Sequence, residues 1–166
     1  MYHKKECDPK KCTATKMGRL GLAKTVFNLR ALPFGSILLY PFSNYLLSPT
    51  DRYAILNYGI SAVDCSWNRI APEDLSKHLT PRILPFLLAA NPTNYAVPFK
   101  LSTLEAISAS LLICGFEGFA LELLSKVKWG EAFLALNREP LSLYRSAKDE
   151  AEIKAVSDGY RKLYEV

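Results

Sequence analysis

The chain has 166 residues, 49% of them hydrophobic and 22% charged, with a net charge of +5. That length supports one sizeable core or two small lobes, and the composition is that of a folded globular protein rather than a disordered one. No apolar run approaches the roughly 20 residues of a membrane helix, and Met1-Tyr2-His3-Lys4-Lys5-Glu6 lacks the apolar stretch of a signal peptide, so a soluble, cytoplasmic protein is expected.

In chain order, residues 1–6 read as a short first strand, and Cys7-Asp8-Pro9-Lys10-Lys11-Cys12 as a loop opened by Asp-Pro. Thr13 or Thr15 then caps a helix through Met17, Leu20 and Leu22. Ser36-Ile37-Leu38-Leu39-Tyr40-Pro41 reads as an apolar strand stopped by proline. Ser48-Pro49 opens a helix that ends at Gly59, and Ile60 to Asp64 follows as a central strand. Strand, helix and strand in that order favour parallel pairing. A short helix is expected after Trp67 and another from Pro72. Arg82 to Ala89 reads as the last strand.

Beyond it the pattern becomes helical. Ser102-Thr103-Leu104-Glu105 is a capping box, and its helix stops at Gly115. Further helices are expected over 117–126, from Trp129-Gly130, from Pro140, and from Asp149 to Tyr164, where Ile153, Val156, Tyr160 and Leu163 recur at helical spacing. The chain thus divides into an α/β part, 1–83, and a helical part, 84–166.

Chemistry-bearing residues cluster at two places. Ala62-Val63-Asp64-Cys65-Ser66-Trp67 is a buried strand that stops on four functional side chains. Leu88-Ala89-Ala90-Asn91-Pro92-Thr93-Asn94-Tyr95 is an apolar run that gives way to a polar turn. Ligands of parallel α/β sheets bind at the carboxyl ends of the strands. Lys4, Lys5, Lys10, Lys11, Lys16, Arg19, Lys24 and Arg30 crowd the first thirty residues, opposed only by Glu6 and Asp8, which favours a polyanionic partner. The cysteines, Cys7, Cys12, Cys65 and Cys114, form no Cys-x-x-Cys pair and are expected to be reduced thiols, with no metal bound.

Together with Lys100-Leu101-Ser102, Glu105-Ala106 and Lys128-Trp129-Gly130, these blocks resemble the small-subunit (18S/16S) ribosomal RNA aminocarboxypropyltransferase family, in its compact archaeal form. The resemblance implies a SPOUT-like parallel sheet with a deep trefoil knot, followed by a helical C-terminal domain, with the cofactor site between them. It implies transfer of the 3-amino-3-carboxypropyl group of S-adenosylmethionine to N3 of a (N1-methyl)pseudouridine in small-subunit RNA, with release of methylthioadenosine. The partner would be that RNA or a pre-ribosomal particle, and the protein a monomer away from membranes. By the same resemblance Leu39, Pro41 and Trp67 sandwich the adenine, the backbone around Val63 meets the ribose, and Thr13 meets the amino-acid end. Leu84, Phe99 and Thr103 are further cofactor positions.

Physical chemistry adds roles around these positions. Trp67 would wall off the donor methyl and favour the sulfonium by cation–π attraction. Asp64 is a candidate base for the acceptor proton, or else holds loop amides or the donor amine. Lys10, Lys11, Lys16, Arg19, Arg69, Arg82 and Lys100 are candidate phosphate contacts. Ala96 departs from the family's usual glycine, at a turn where positive φ is expected, and Phe99 stands where tryptophan or tyrosine is common. The competing readings are an RNA methyltransferase on the same scaffold and a non-catalytic ribosome-assembly module.

Overall fold

A computed structural model describes residues 1–3, 12–64 and 78–166, with Tyr2, His3 and Asp64 described by their backbone. The expected loop around Cys7, Lys10 and Lys11, and the segment with Cys65, Trp67, Arg69 and the two short helices from Trp67 and Pro72, lie outside the described residues. The elements are β1 (Tyr2–His3), α1 (Thr13–Arg19), β2 (Ile37–Leu39), α2 (Arg52–Tyr58), β3 (Ile60–Asp64) and β4 (Thr80–Arg82). Five helices follow: α3 (Thr103–Ile113), α4 (Glu117–Leu124), α5 (Gly130–Leu136), α6 (Arg138–Ser146) and α7 (Glu150–Leu163). The fold is mixed α/β. Its strands lie in the order β1-β3-β2-β4, and every pairing is parallel.

The apolar run at 37–39 becomes the inner strand β2 because both faces of the sheet are covered. Ile37, Leu39 and Ala62 face a core shared with the helices, while Leu38, Tyr40 and Val63 face a smaller cluster with Leu32 and Leu79. Ser36 and Ser61, both buried, share a hydrogen bond of 2.7 Å between β2 and β3. The turn into α2 follows the expected pattern: Pro49 follows Ser48, and the Asp51 carboxylate accepts the Ser48 N–H at 3.1 Å. Gly59 closes α2 at φ 82°, a conformation glycine adopts without steric cost. α1 is shorter than expected and is capped by Cys12, whose sulfur accepts the Thr15 N–H at 3.3 Å; Gly21 at φ 70° follows its end.

The helical part packs on the same core. Leu104, Ile113, Phe133, Tyr144 and Ile153 are all buried to 1% exposure or less and join Ile37 and Leu87 in one continuous cluster. The capping box of α3 forms as its sequence requires, with Ser102 Oγ accepting the Glu105 N–H at 3.3 Å and Glu105 Oε2 accepting the Ser102 N–H at 2.7 Å. α4 and α5 meet so closely that a Cβ at Gly130 would run into the Leu124 carbonyl.

The expected strand over 82–89 is where the structure differs. β4 ends at Arg82, and the buried segment beyond it alternates between two kinds of partner. On one edge the groups are side chains from the helical part: Phe86 N–H donates to Ser157 Oγ at 2.9 Å, Leu88 N–H to Oδ1 of Asn137, between α5 and α6, at 2.8 Å, and Ala90 N–H to Glu105 Oε1 at 2.8 Å. On that edge, too, Tyr144 Oη donates to the Phe86 carbonyl and Asn137 Nδ2 to the Leu88 carbonyl. On the other edge Leu87 and Ala89 bond to the returning backbone at Ala96, Val97 and Phe99. The backbone hydrogen bonds alternate between edges as a strand's do, but side chains from the helical part stand where a neighbouring strand would be.

Candidate functional site

The carboxyl ends of β2, β3 and β4 meet the irregular wall over 83–103 around a cavity of about 350 Å³, within the range of small-molecule sites. Sheet register sets its floor: Leu39 pairs with Ala62 on one side and with Arg82 on the other, so β2 and β4 end level while β3 runs two residues further, to Asp64. Tyr40, Pro41 and Val63 extend the sheet side. Leu84 and Pro85 lead into the opposite wall, which Phe99, Leu101, Thr103 and Ala106 complete. Arg161 of α7 reaches in from the last helix.

Six of the expected cofactor positions therefore converge: Leu39, Pro41, Val63, Leu84, Phe99 and Thr103 line one cavity. Thr13 lies next to it. Its hydroxyl is buried and accepts the Leu104 N–H at 3.4 Å, which brings the start of α1 against the first turn of α3. Trp67 lies outside the described residues. Asp64 is the last residue of β3, immediately after Val63.

The phosphate candidates separate. Lys16 and Arg19 sit exposed on the last turn of α1, and Lys16 donates to the Lys126 carbonyl. Lys100 is exposed beside Phe99. Arg82 lines the cavity, but its guanidinium is taken up by Asp51. Nε contacts both carboxylate oxygens at 3.0–3.1 Å, and the group also lies over the Tyr45 ring, 5.7 Å from its centroid. Lys10, Lys11 and Arg69 lie outside the described residues. Trp129 packs against the main core rather than lining the cavity.

Two features of the wall escaped the sequence reading or were only half legible in it. Arg161 carries its guanidinium 5.4 Å above the Phe99 ring and donates from Nε to the Val166 carbonyl. Nothing local marks it, since α7 reads simply as an amphipathic helix with a basic last turn. Ala96 and Phe99 both adopt φ 60°, the left-handed region. For Ala96 the replaced glycine gave the signal; for Phe99 nothing did. Each such residue costs on the order of 1–2 kcal/mol, which the surrounding contacts must offset. Phe99 has three: its N–H donates to the Leu87 carbonyl at 3.0 Å, its ring meets Phe86 edge-on at 5.6 Å, and Arg161 covers it.

A larger cavity, of about 510 Å³, lies between α6 and the end of α7, against Leu136, Tyr160 and Tyr164. It contains none of the expected site residues and lies off the carboxyl edge of the sheet, so the smaller cavity is the candidate donor site. Among the described residues no group of three or more His, Cys, Asp and Glu side chains could hold a metal ion, and no helix is long and apolar enough to cross a membrane.

Comparison with known proteins bears on this geometry. Residues 37–161 match the family described as "Ribosome biogenesis protein, C-terminal", and residues 1–27 match "Possible Fer4-like domain in RNase L inhibitor, RLI". The second stretch holds only Cys7 and Cys12, two thiols where an iron–sulfur cluster takes four protein ligands. The chain is 46% identical over 155 residues to a 16S rRNA aminocarboxypropyltransferase of Methanothermobacter thermautotrophicus, covering 92% of each chain. It is 45% identical over 162 residues to the protein of the same name in Methanopyrus kandleri, covering 96% of each. Among solved structures it is similar to the SAM-dependent rRNA:acp-transferase Tsr3 from Vulcanisaeta distributa. There the TM-score is 0.87 and the identity 38%, over 99% of this chain and 87% of that one.

Proposed function

Because the chain belongs to the 16S rRNA aminocarboxypropyltransferase family, we propose that its cavity holds S-adenosylmethionine and that the protein transfers the donor's 3-amino-3-carboxypropyl group to N3 of a (N1-methyl)pseudouridine in small-subunit ribosomal RNA. A bond forms between the acceptor nitrogen and the γ-carbon of the donor. The carbon–sulfur bond breaks, the nitrogen loses its proton, and neutral methylthioadenosine leaves.

The observation that carries this reading is the convergence of Leu39, Pro41, Val63, Leu84, Phe99 and Thr103 on one cavity at the carboxyl edge of a parallel sheet. The walls are mostly apolar, which suits the adenine and the methyl group, and Thr103 and Thr13 bring hydroxyls to the first turn of α3 for the polar end of the donor. A sulfonium has three electrophilic carbons, and the one presented to the acceptor reacts. Trp67 completes the wall that hides the methyl. Asp64, at the end of β3, receives the acceptor proton or holds the donor's amine. Lys10, Lys11, Lys16, Arg19, Arg69, Arg82 and Lys100 position phosphates, Arg82 from within its pair with Asp51.

The wider reading is a SPOUT-like knotted sheet in the α/β part, 1–83, joined to the helical part, 84–166, in a cytoplasmic monomer. Its support is the all-parallel strand order and a cavity that draws lining from both parts of a single chain.

Incubation of the protein with small-subunit RNA and S-adenosylmethionine labelled in either the carboxyl or the methyl carbon tests the reaction. Carboxyl label in the RNA, with no methyl label, is expected. Methyl label in the RNA would make the protein a methyltransferase, and RNA affinity with no thermal shift on adding S-adenosylmethionine would make it an assembly factor. Asp64→Asn separates the two roles of that carboxylate: intact donor affinity with turnover lost identifies the base.

A further inference from the structure

The loop that leaves β2 carries two large aromatic rings in solvent, Phe42 and Tyr45, each 59% exposed. Such exposure is costly on a mobile loop, yet this one is held along its length. Ser43 N–H donates to the Tyr40 carbonyl at 3.2 Å, and Ser43 Oγ donates to the Pro81 carbonyl at 3.1 Å. Ile83 N–H donates to the Tyr45 carbonyl at 2.8 Å, and Leu46 N–H to Glu150 Oε1 of α7 at 2.7 Å. The rings are braced as well. Phe42 meets the buried Tyr40 edge-on at 5.6 Å, and Tyr45 is backed by the Arg82 guanidinium, itself clamped on Asp51. Tyr40, Pro41, Arg82 and Ile83, to which the loop is joined, all line the donor cavity.

We infer that Phe42 and Tyr45 form a stacking platform for the unpaired RNA bases that flank the acceptor; the inference rests on the transfer reading above. N3 of a pseudouridine lies on its Watson–Crick edge, so the base must leave both its pair and its stack before that nitrogen reaches the donor. The neighbouring bases then lose a stacking partner, and single-stranded RNA recovers it on aromatic side chains. Two pre-ordered rings beside the cavity supply that partner without the cost of ordering a loop. The platform is a positioning surface: it touches neither the donor nor the transferred group.

The test measures binding of a fluorescein-labelled single-stranded oligouridine to wild type, Phe42→Ala and Tyr45→Ala, with S-adenosylmethionine affinity measured by calorimetry on the same samples. Each alanine is expected to weaken RNA binding about tenfold, the scale of one lost base stack, and to leave donor affinity unchanged. Phe42→Tyr and Tyr45→Trp should bind as wild type does. The slope of log affinity against log salt should also stay unchanged, because no phosphate contact is removed. Unchanged RNA affinity in both alanine variants overturns the platform. So does a parallel loss of donor affinity, which would make the rings structural, or loss of a wild-type self-association with RNA binding intact, which would make them a protein interface. Label transfer by wild type is scored separately, so a failed reaction and a failed platform give different results.

Discussion

Leu39 and Phe99 line the same cavity but are held by different means. Leu39 sits in regular parallel structure, paired on both sides, with a buried side chain and ordinary backbone. Phe99 sits at φ 60°, half in solvent, in a wall whose inner backbone is tied to Glu105, Tyr144 and Ser157 on three different helices and to Asn137 between two of the helices. A parallel sheet supplies a level floor from local hydrogen-bond repetition. The opposite wall has no such repetition and depends on individual buried polar side chains, each meeting specific backbone groups. Redundancy on the floor and its absence in the wall predict opposite responses to substitution.

The sharpest break should come at Glu105, which is fully buried and accepts from the N–H groups of Ala90 and Ser102 and from the Asn91 amide. Glu105→Ala leaves those donors without a partner and should cost about 3 kcal/mol or more, read by urea denaturation, with donor affinity falling alongside. A cost near zero would show that the wall does not depend on its ties.

The seam behind the walls gives a pH-dependent contrast. Burial first, then the Asp51 carboxylate, pushes the Cys114 thiol from 9.0 up to about 12, against an opposing pull from Arg52. A raised folded-state value means that the associated stability is fully present below pH 9 and drains away as pH rises through about 12. Melting temperature should fall over that window, and Cys114→Ala should flatten the fall.

Ala96→Gly should move the other way. The residue is exposed and its φ is 60°, so relief of backbone strain should add about 1 kcal/mol of stability. Smallest of all should be the double replacement Ser36→Ala with Ser61→Ala on the sheet side. Both partners of one buried hydrogen bond disappear together, so no group is orphaned, and stability should stay within about 1 kcal/mol of wild type.

The same contrast explains what the sequence disclosed. The β2–α2–β3 unit, the Ser48-Pro49 turn, the Gly59 stop and the Ser102-Glu105 box are local patterns, and the structure forms each one. The set of residues that lines the cavity was legible only through family resemblance, because no spacing rule joins Leu39 to Phe99. The segment beyond Arg82 was misread as a strand because it is an apolar run of a strand's length, while its partners, such as Ser157, are as far as 71 residues away. Arg82 was read as a phosphate contact with no sign of its pair with Asp51, because a charge count does not see which carboxylate lies beside it. Arg161 was passed over because its target ring belongs to another part of the chain.

The ties made by α7 also set an order of assembly. Glu150 holds Leu46, which pairs with Ile83 of the cavity lining, and Ser157 holds Phe86, next to Pro85 of the same lining. During synthesis α7 emerges after every other element named here, so a nascent chain carries an unfinished site until its final turns have docked. Pulsed hydrogen exchange during refolding should then protect the Leu46 and Phe86 amides together with α7, not with β2 and β3. An enzyme closed in this way stays blind to its donor until α7 has been made and has docked.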